Sequence, residues 1–356
     1  MMCSTKQSFR IWRFLNSAIF LLWAAALTAG NIYVDANSGN DSFDGTQQKP
    51  FKTLQRALLA IPDIASNGFT VIVNPGVYEI SEKIRLDKGT FSEKARLTLQ
   101  ASMLPDHPDW TPKQMPVFTS TENPGPAEGR GEVIHGFSVE VSHVSFRGLR
   151  FLGNPSLGHR YYPIRRDNET LANLLVSQCI FEAYPSQTPI QVAVIAKGQS
   201  MIVEHSIFLG CNNPTVYWQA EGGLSYGNVF RNCIALQNGQ SGLWTTDTAS
   251  DFEFRNNLLQ GGRVFHMQHF ARESVYTLTN SYVLDFDVNF RSTEGPGGEE
   301  SQRPAPVTIR EHRIFRSERL QIDENFNQGQ NRNWLHPLPD SPGWELGAGL
   351  FRQKTS

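Results

Sequence analysis

The sequence is short of several features that would each assign it to a class. It has no excess of positive charge: 32 lysines and arginines stand against 34 aspartates and glutamates, a formal net charge of −2, which does not suggest a nucleic-acid binder. It has only four cysteines, and at 356 residues the chain is too long for a small fold that depends on disulfide staples. The apolar stretch Phe14 to Leu27 is shorter than the ~20 residues a membrane span needs. Helical spacing of apolar residues is absent from the middle of the chain, and no low-complexity linker marks a second domain.

What fills the middle instead is one short pattern, met six times. The copies read FRGLRF from Phe146, VSQCIF from Val176, VEHSIF from Val203, FRNCIA from Phe230, FRNNLL from Phe254 and LTNSYV from Leu278. Their starts are separated by 30, 27, 27, 24 and 24 residues. A unit this short cannot bury its own apolar side chains, so it stacks on its neighbours and the chain is a solenoid. Each copy is rich in β-branched and aromatic residues in near alternation, and a second apolar run such as VAVIA at Val192 or TVYW at Thr215 precedes it. The irregular period, without a fixed Leu or Trp-Asp signature, disfavours leucine-rich repeats and propellers. The expected fold is therefore all-β, a right-handed parallel β-helix of about ten coils ~4.8 Å apart.

Like positions then stack in columns. The third position of the repeat runs Gly148, Gln178, His205, Asn232, Asn256, Asn280, residues suited to an unusual backbone at a tight turn and to hydrogen bonding along a ladder. The fourth runs Leu149, Cys179, Ser206, Cys233, Asn257, Ser281. Cys179 and Cys233 thus fall two coils apart, roughly 9 to 10 Å, beyond disulfide reach. They read as buried thiols, with a pairing of Cys211 and Cys233 as the alternative.

Residues 1–30 read as a signal peptide: Lys6, Arg10 and Arg13 precede the apolar stretch, which closes in Thr28-Ala29-Gly30. Its removal takes three basic residues and no acidic ones, shifting the formal charge to −5. The expectation is a secreted protein, extracellular or periplasmic, that is a monomer and has no membrane attachment after cleavage. Residues 31–68 read as a strand, an Asp/Asn/Gly loop and an amphipathic capping helix carrying Phe51, Leu54, Ala57, Leu58 and Ile61; such a cap hides terminal strand edges. The β-helix then occupies 69–356, with Pro- and Gly-rich loop insertions at 103–136 and 292–306.

The segments IYVDANSGNDSFDGT, PFKTLQRAL and TVIVNPGVYEI, with SPGWELGAGLF at the other end, resemble secreted right-handed parallel β-helix proteins of the pectate-lyase superfamily. That resemblance implies export and a polysaccharide partner. It leaves open the reaction, since the superfamily includes lyases, hydrolases, esterases, epimerases and proteins without known activity.

Candidate chemistry lies on the strands that open each coil. Tyr217, Trp218 and Trp244 are candidates for an aromatic platform on which sugar rings stack, provided that they face outwards. The run GHRYYPIRRD contributes Arg160, Tyr161, Tyr162, Arg165 and Arg166, which with Lys197 suit carboxylated or sulfated sugars. The leading expectation is a polysaccharide lyase that cleaves a uronate polymer by β-elimination, with His266 or His269 as base and Arg263 stabilising the carboxylate. The alternatives are a glycoside hydrolase using Glu221 and Asp247, or a non-catalytic glycan-binding module. Calcium (Ca2+) is a candidate cofactor: the calcium-dependent lyases of the superfamily hold their ion on several clustered acids, whereas these coils offer only Glu221, Asp247 and Asp251, and an ion in the N-terminal loop would be structural. Asp35, Asn37, Gly39 and Asp41 resemble half of a calcium loop, but Thr46 stands where its last acid belongs; no metal ligand is assigned.

Overall fold

The computed structural model describes residues 30–219, 223–246, 248–269, 274–293 and 307–351; residues 1–29 of the predicted signal peptide and most of the insertion 292–306 lie outside them. Every ladder between its strands is parallel, and the strands fall into three columns that wind as a right-handed β-helix. The first contains Gly30–Val34, Phe69–Val73, Leu97–Ala101, Val144–Arg147, Ala172–Ser177, Gln199–Glu204, Val229–Arg231 and Glu253–Arg255. The second contains Val77–Ile80, Val117–Ser120, Arg150–Leu152, Ile180–Glu182, Ile207–Leu209 and Ile234–Leu236. The third contains Ile84–Leu86, Val133–Val139, Arg160–Arg166, Val192–Ala196, Asn213–Tyr217 and Ser241–Thr246. The long strands Leu258–His269, Ser274–Thr293 and Val307–Phe315 each pass through more than one column.

The six-residue repeat straddles the corner between the first and second columns. Its third position is the corner itself, left-handed in every copy: φ is 69° at Gly148, 57° at Gln178, 46° at His205, 53° at Asn232, 56° at Asn256 and 46° at Asn280. Glycine and asparagine tolerate this region best. The expected ladder forms where Asn280 Nδ2 donates to Asn256 Oδ1 at 2.7 Å. Further back the same position does something else. Asn232 donates to the carbonyls of Leu346 and Gly347, His205 Nδ1 lies 3.1 Å from the Gly349 carbonyl, and Gln178 Nε2 donates to the Leu350 carbonyl. The corner thus anchors the C-terminal segment, which crosses the coils in reverse order.

The fourth position points inwards and carries its own polar ladder. The Cys179 N–H donates to Ser206 Oγ, the Cys233 N–H to Asn257 Oδ1 and the Asn257 N–H to Ser281 Oγ, so these buried polar groups are satisfied. Cys179, Cys211 and Cys233 are free and buried, which corrects the alternative of a Cys211–Cys233 pair. Burial raises all three thiols, that of Cys179 to about 12. Behind the corner, Phe151, Phe181 and Phe208 of the second column stack in successive coils, Phe230 and Phe254 of the first column stack in the next two, and the two sets meet at Phe208 and Phe230, tilted by 34°.

The second column's outer face is covered. Ile180, Ile207, Ile234 and Leu258 pack against Trp334, Leu335, Leu346, Leu350 and Phe351 of the C-terminal segment, and against Trp110. Arg150, paired with Glu182, lies over the rings of Phe326 at 5.3 Å and Trp334 at 5.1 Å. The first column's N-terminal strand pairs with Phe69–Val73. Beside it a short helix, Leu54–Leu59, begins at Thr53, whose side chain accepts from the Arg56 N–H; Leu54, Ala57 and Leu58 are buried. The predicted insertion 103–136 divides into two loops, because Val117–Ser120 within it pairs with Val77–Ile80 as a regular coil. Among the described residues no helix is long and apolar enough to cross a membrane.

Candidate functional site

The third column presents an extended outer sheet face built from strands of successive coils. Its pleat decides which predicted residues can meet a ligand, since successive side chains point to opposite sides. Register aligns Arg165 with Ile195, Ile195 with Val216, Val216 with Trp244, and Trp244 with Met267. This row faces outwards, and Tyr162, Val192 and Val216 form an apolar cluster there with Ile195, Trp218 and Trp244. The adjacent row, Ala196, Tyr217, Thr245 and Gln268, faces the interior.

Trp218 and Trp244 are half-buried and lie side by side, ring centroids 6.3 Å apart and inclined by 54°. Lys197 borders them, its Nζ 3.5 Å from Glu169. Arg165 sits 5.2 Å above the Tyr162 ring and donates Nε to Asp167 at 2.7 Å. Arg263 is exposed. Arg160 is half-buried and donates to the Gly131 carbonyl.

Four predicted site residues are instead interior, and for each the pleat is the reason. Tyr217 is buried and its hydroxyl donates to the Val229 carbonyl at 2.7 Å. Tyr161 is buried in the core. Arg166 is buried, with Nε on the Lys197 carbonyl and Nη2 on the Gln199 carbonyl; burial pushes its guanidinium down to about 9. GHRYYPIRRD is accordingly a strand of the third column and not a loop. His266 is fully buried, aligned with Leu243, its Nε2 2.8 Å from Thr245 Oγ1. Burial lowers its pKa to about 3, so it is neutral and inaccessible to a polymer. This corrects its placement as a surface base.

Glu221 and Asp247 lie outside the described residues, and so does the side chain of His269, whose backbone pairs with Thr246 and Thr293. In the N-terminal loop, Asp35 accepts from the N–H groups of Asn37 and Ser38, and Asp41 from those of Lys52 and Thr53 and from Thr53 Oγ1. Those carboxylates hold turns, and among the described residues no three His, Cys, Asp or Glu side chains gather as a metal site.

The sequence reading missed a second concavity. A cleft of about 690 Å3 lies between the corner of the first column and the C-terminal segment, with Arg147, Glu204 and Trp344 in its lining. The sequence marks one wall of it, SPGWELGAGLF, but the contact of that segment with residues some 150 positions earlier is tertiary.

Residues 37–86 match the family described as a protein of unknown function (DUF1565). No curated protein matches the chain. Among solved structures it is similar to XylC in complex with xylose, with 11% identity over 82% of this chain and 70% of that one and a TM-score of 0.47. It is also similar to a rhamnogalacturonan lyase, at 16% identity over 80% of each chain and a TM-score of 0.37. The pectin methylesterase from Aspergillus niger covers 81% of this chain and 86% of its own, with 14% identity and a TM-score of 0.35. At these identities the likenesses assign no activity to this chain. By its own strand topology, the chain is a right-handed parallel β-helix protein.

Proposed function

We propose that the protein binds an acidic polysaccharide across the outer face of the third column. The observation that supports this reading is the half-buried Trp218–Trp244 pair in adjacent coils, with Lys197 one coil before Trp218 and Arg165 on the same face two coils before it. Indole rings offer flat apolar surface to the C–H faces of sugars. The two cations are paired with half-exposed or exposed acids, and such pairs are weak enough to exchange for a ligand carboxylate. The family resemblance in the N-terminal and C-terminal segments points to the same class of partner.

Within this reading, β-elimination of uronate units draws on His269, Lys197 and Arg263, because His266 and Arg166 are interior. Hydrolysis draws on Glu221 and Asp247. A panel of uronate and neutral polymers, followed by gel retardation together with absorbance of unsaturated uronate and release of reducing ends, separates the cases. Trp218→Ala and Trp244→Ala are each expected to weaken retardation by a uronate polymer about thirtyfold, as the loss of an aromatic anchor worth ~2 kcal/mol does. The fall in melting temperature should be modest, since both rings are half-buried on the outer face and outside the core. Undiminished binding by both variants would remove the proposal, whatever the catalytic readouts show.

A further inference from the structure

The outward row of the first column runs Gln100, Arg147, Ser177, Glu204, Arg231, Arg255 in register. Its three arginines are treated unequally. Arg231 pairs with Glu204 at 2.6 Å and lies 3.4 Å from Glu253, and Arg255 is paired with Glu253 as well. Arg147 stands between Gln100 and Ser177, both uncharged. It is half-buried, and among the described residues its guanidinium makes no hydrogen bond or ion pair. Glu204 does not serve it: that carboxylate is two coils away, ~10 Å along the axis, and already accepts from Arg231 and from Ser177 Oγ. A half-buried guanidinium with no protein partner keeps part of its hydration and leaves its donors open to an anionic ligand.

Arg147 opens into the 690 Å3 cleft. Ser177, Glu204 and His205 continue its floor over three coils, Pro108 and Trp344 stand at its sides, and ~10 Å of floor is about the length of a disaccharide. The sides are tied together. Arg332 donates to the carbonyls of Pro105, His107 and Pro108, and its guanidinium lies 4.3 Å from the Phe351 ring centroid. Gln178 and His205 hold the carbonyls of Leu350 and Gly349. The cleft is therefore preformed, which spares a ligand the cost of ordering it.

We infer that this cleft binds a carboxylated sugar, with the Arg147 guanidinium taking the carboxylate and Trp344 supplying apolar surface to the ring. A planar carboxylate matches the guanidinium fork bidentately. Ser177 Oγ, whose hydroxyl hydrogen is given to Glu204, can still accept from a sugar hydroxyl. The site lies on a different column from Trp218 and Trp244, so either can fail without the other.

The test titrates digalacturonate, by calorimetry, into the full chain carrying Trp218→Ala and Trp244→Ala, so that the third column's platform does not contribute. One binding event per chain is expected. Arg147→Gln in that background should weaken it about tenfold or more, with Arg147→Lys in between because it keeps the charge without the fork. The methyl-esterified dimer, which carries no charge, should bind the unmodified cleft at least about tenfold more weakly. Absence of any binding heat, equal affinity for the ester, or Arg147→Gln binding as the parent does would each overturn the inference. The ester comparison needs no substitution at Arg147, so it decides the matter even if that variant is poorly folded.

Discussion

Between pH 6.5 and pH 4.5 the folded protein is expected to lose about 4 kcal/mol of stability, through two buried histidines. His336 is fully buried: its Nδ1 lies 3.1 Å from the Trp334 carbonyl and its Nε2 accepts from the Leu350 N–H at 3.0 Å. Burial lowers its pKa to about 4. A second proton on Nε2 would face a backbone N–H, so the charged ring has no place there. His266 is held at about 3, also by burial. In the unfolded chain both titrate near 6.5. Below that pH the unfolded state binds more protons than the folded one, so the stability present above 6.5 is lost as the pH falls towards the folded values. Each unfolded imidazole is only half protonated at pH 6.5, so two groups over two pH units at 1.36 kcal/mol per unit fall short of the full product and set the magnitude at ~4 kcal/mol.

The window separates this effect from the carboxylates. Asp35, Asp44 and Glu253 have lowered pKa values and contribute losses only below about 4.5. His135, lowered to about 4 by burial, acts in the same direction as the other histidines, while the raised carboxyl of Glu122 opposes them. Because whole domains are stable by about 5–15 kcal/mol, mild acid should unfold a substantial fraction of molecules. Urea titrations at half-unit pH intervals measure it, and His336→Gln with His266→Gln should flatten the profile. A stability constant to within about 1 kcal/mol over that window would contradict the assignment.

Phe181→Ala is expected to cost about 4 kcal/mol. Phe181 is fully buried, and its ring lies between Phe151 at 4.9 Å and 7° and Phe208 at 5.1 Å and 4°. Truncation removes the transfer free energy of the ring, leaves a cavity, and breaks two stacked contacts worth about 0.5–1.5 kcal/mol each. A solenoid makes the location important, since each coil is stabilised by its two neighbours. Phe181→Leu, which refills part of the cavity, should recover about half. Denaturant unfolding monitored by far-ultraviolet dichroism gives both values. A loss under about 1.5 kcal/mol for the alanine variant would mean that the coils above and below close over the gap.

The sequence reading reached the corner because the corner is a local requirement repeated in every coil. Left-handed φ selects Gly and Asn, and the same offset recurs at Gly148, Asn232, Asn256 and Asn280. The inward fourth position was legible for the same reason: Cys179, Ser206, Cys233 and Ser281 are all small and all buried. The reading did not reach the pleat of the third column. Trp218 and Tyr217 are adjacent and chemically similar, yet one lies in the outer cluster and the other in the core. A shift of one residue exchanges the two faces, and in a strand whose outer face is also apolar no alternation distinguishes them.

The sequence by itself determined the coil, its period and its corners, because those depend on backbone conformations and side-chain sizes that each repeat carries within itself. Only the tertiary structure decided which side chains are available for chemistry. His266, Arg166 and Tyr161 face inwards through the phase of the pleat, and Trp344 meets the cleft of Arg147 because the C-terminal segment docks on corners formed by residues 178–232. That docking rests on contacts between residues 114 to 172 positions apart, a distance over which a repeat of 24 to 30 residues carries no information.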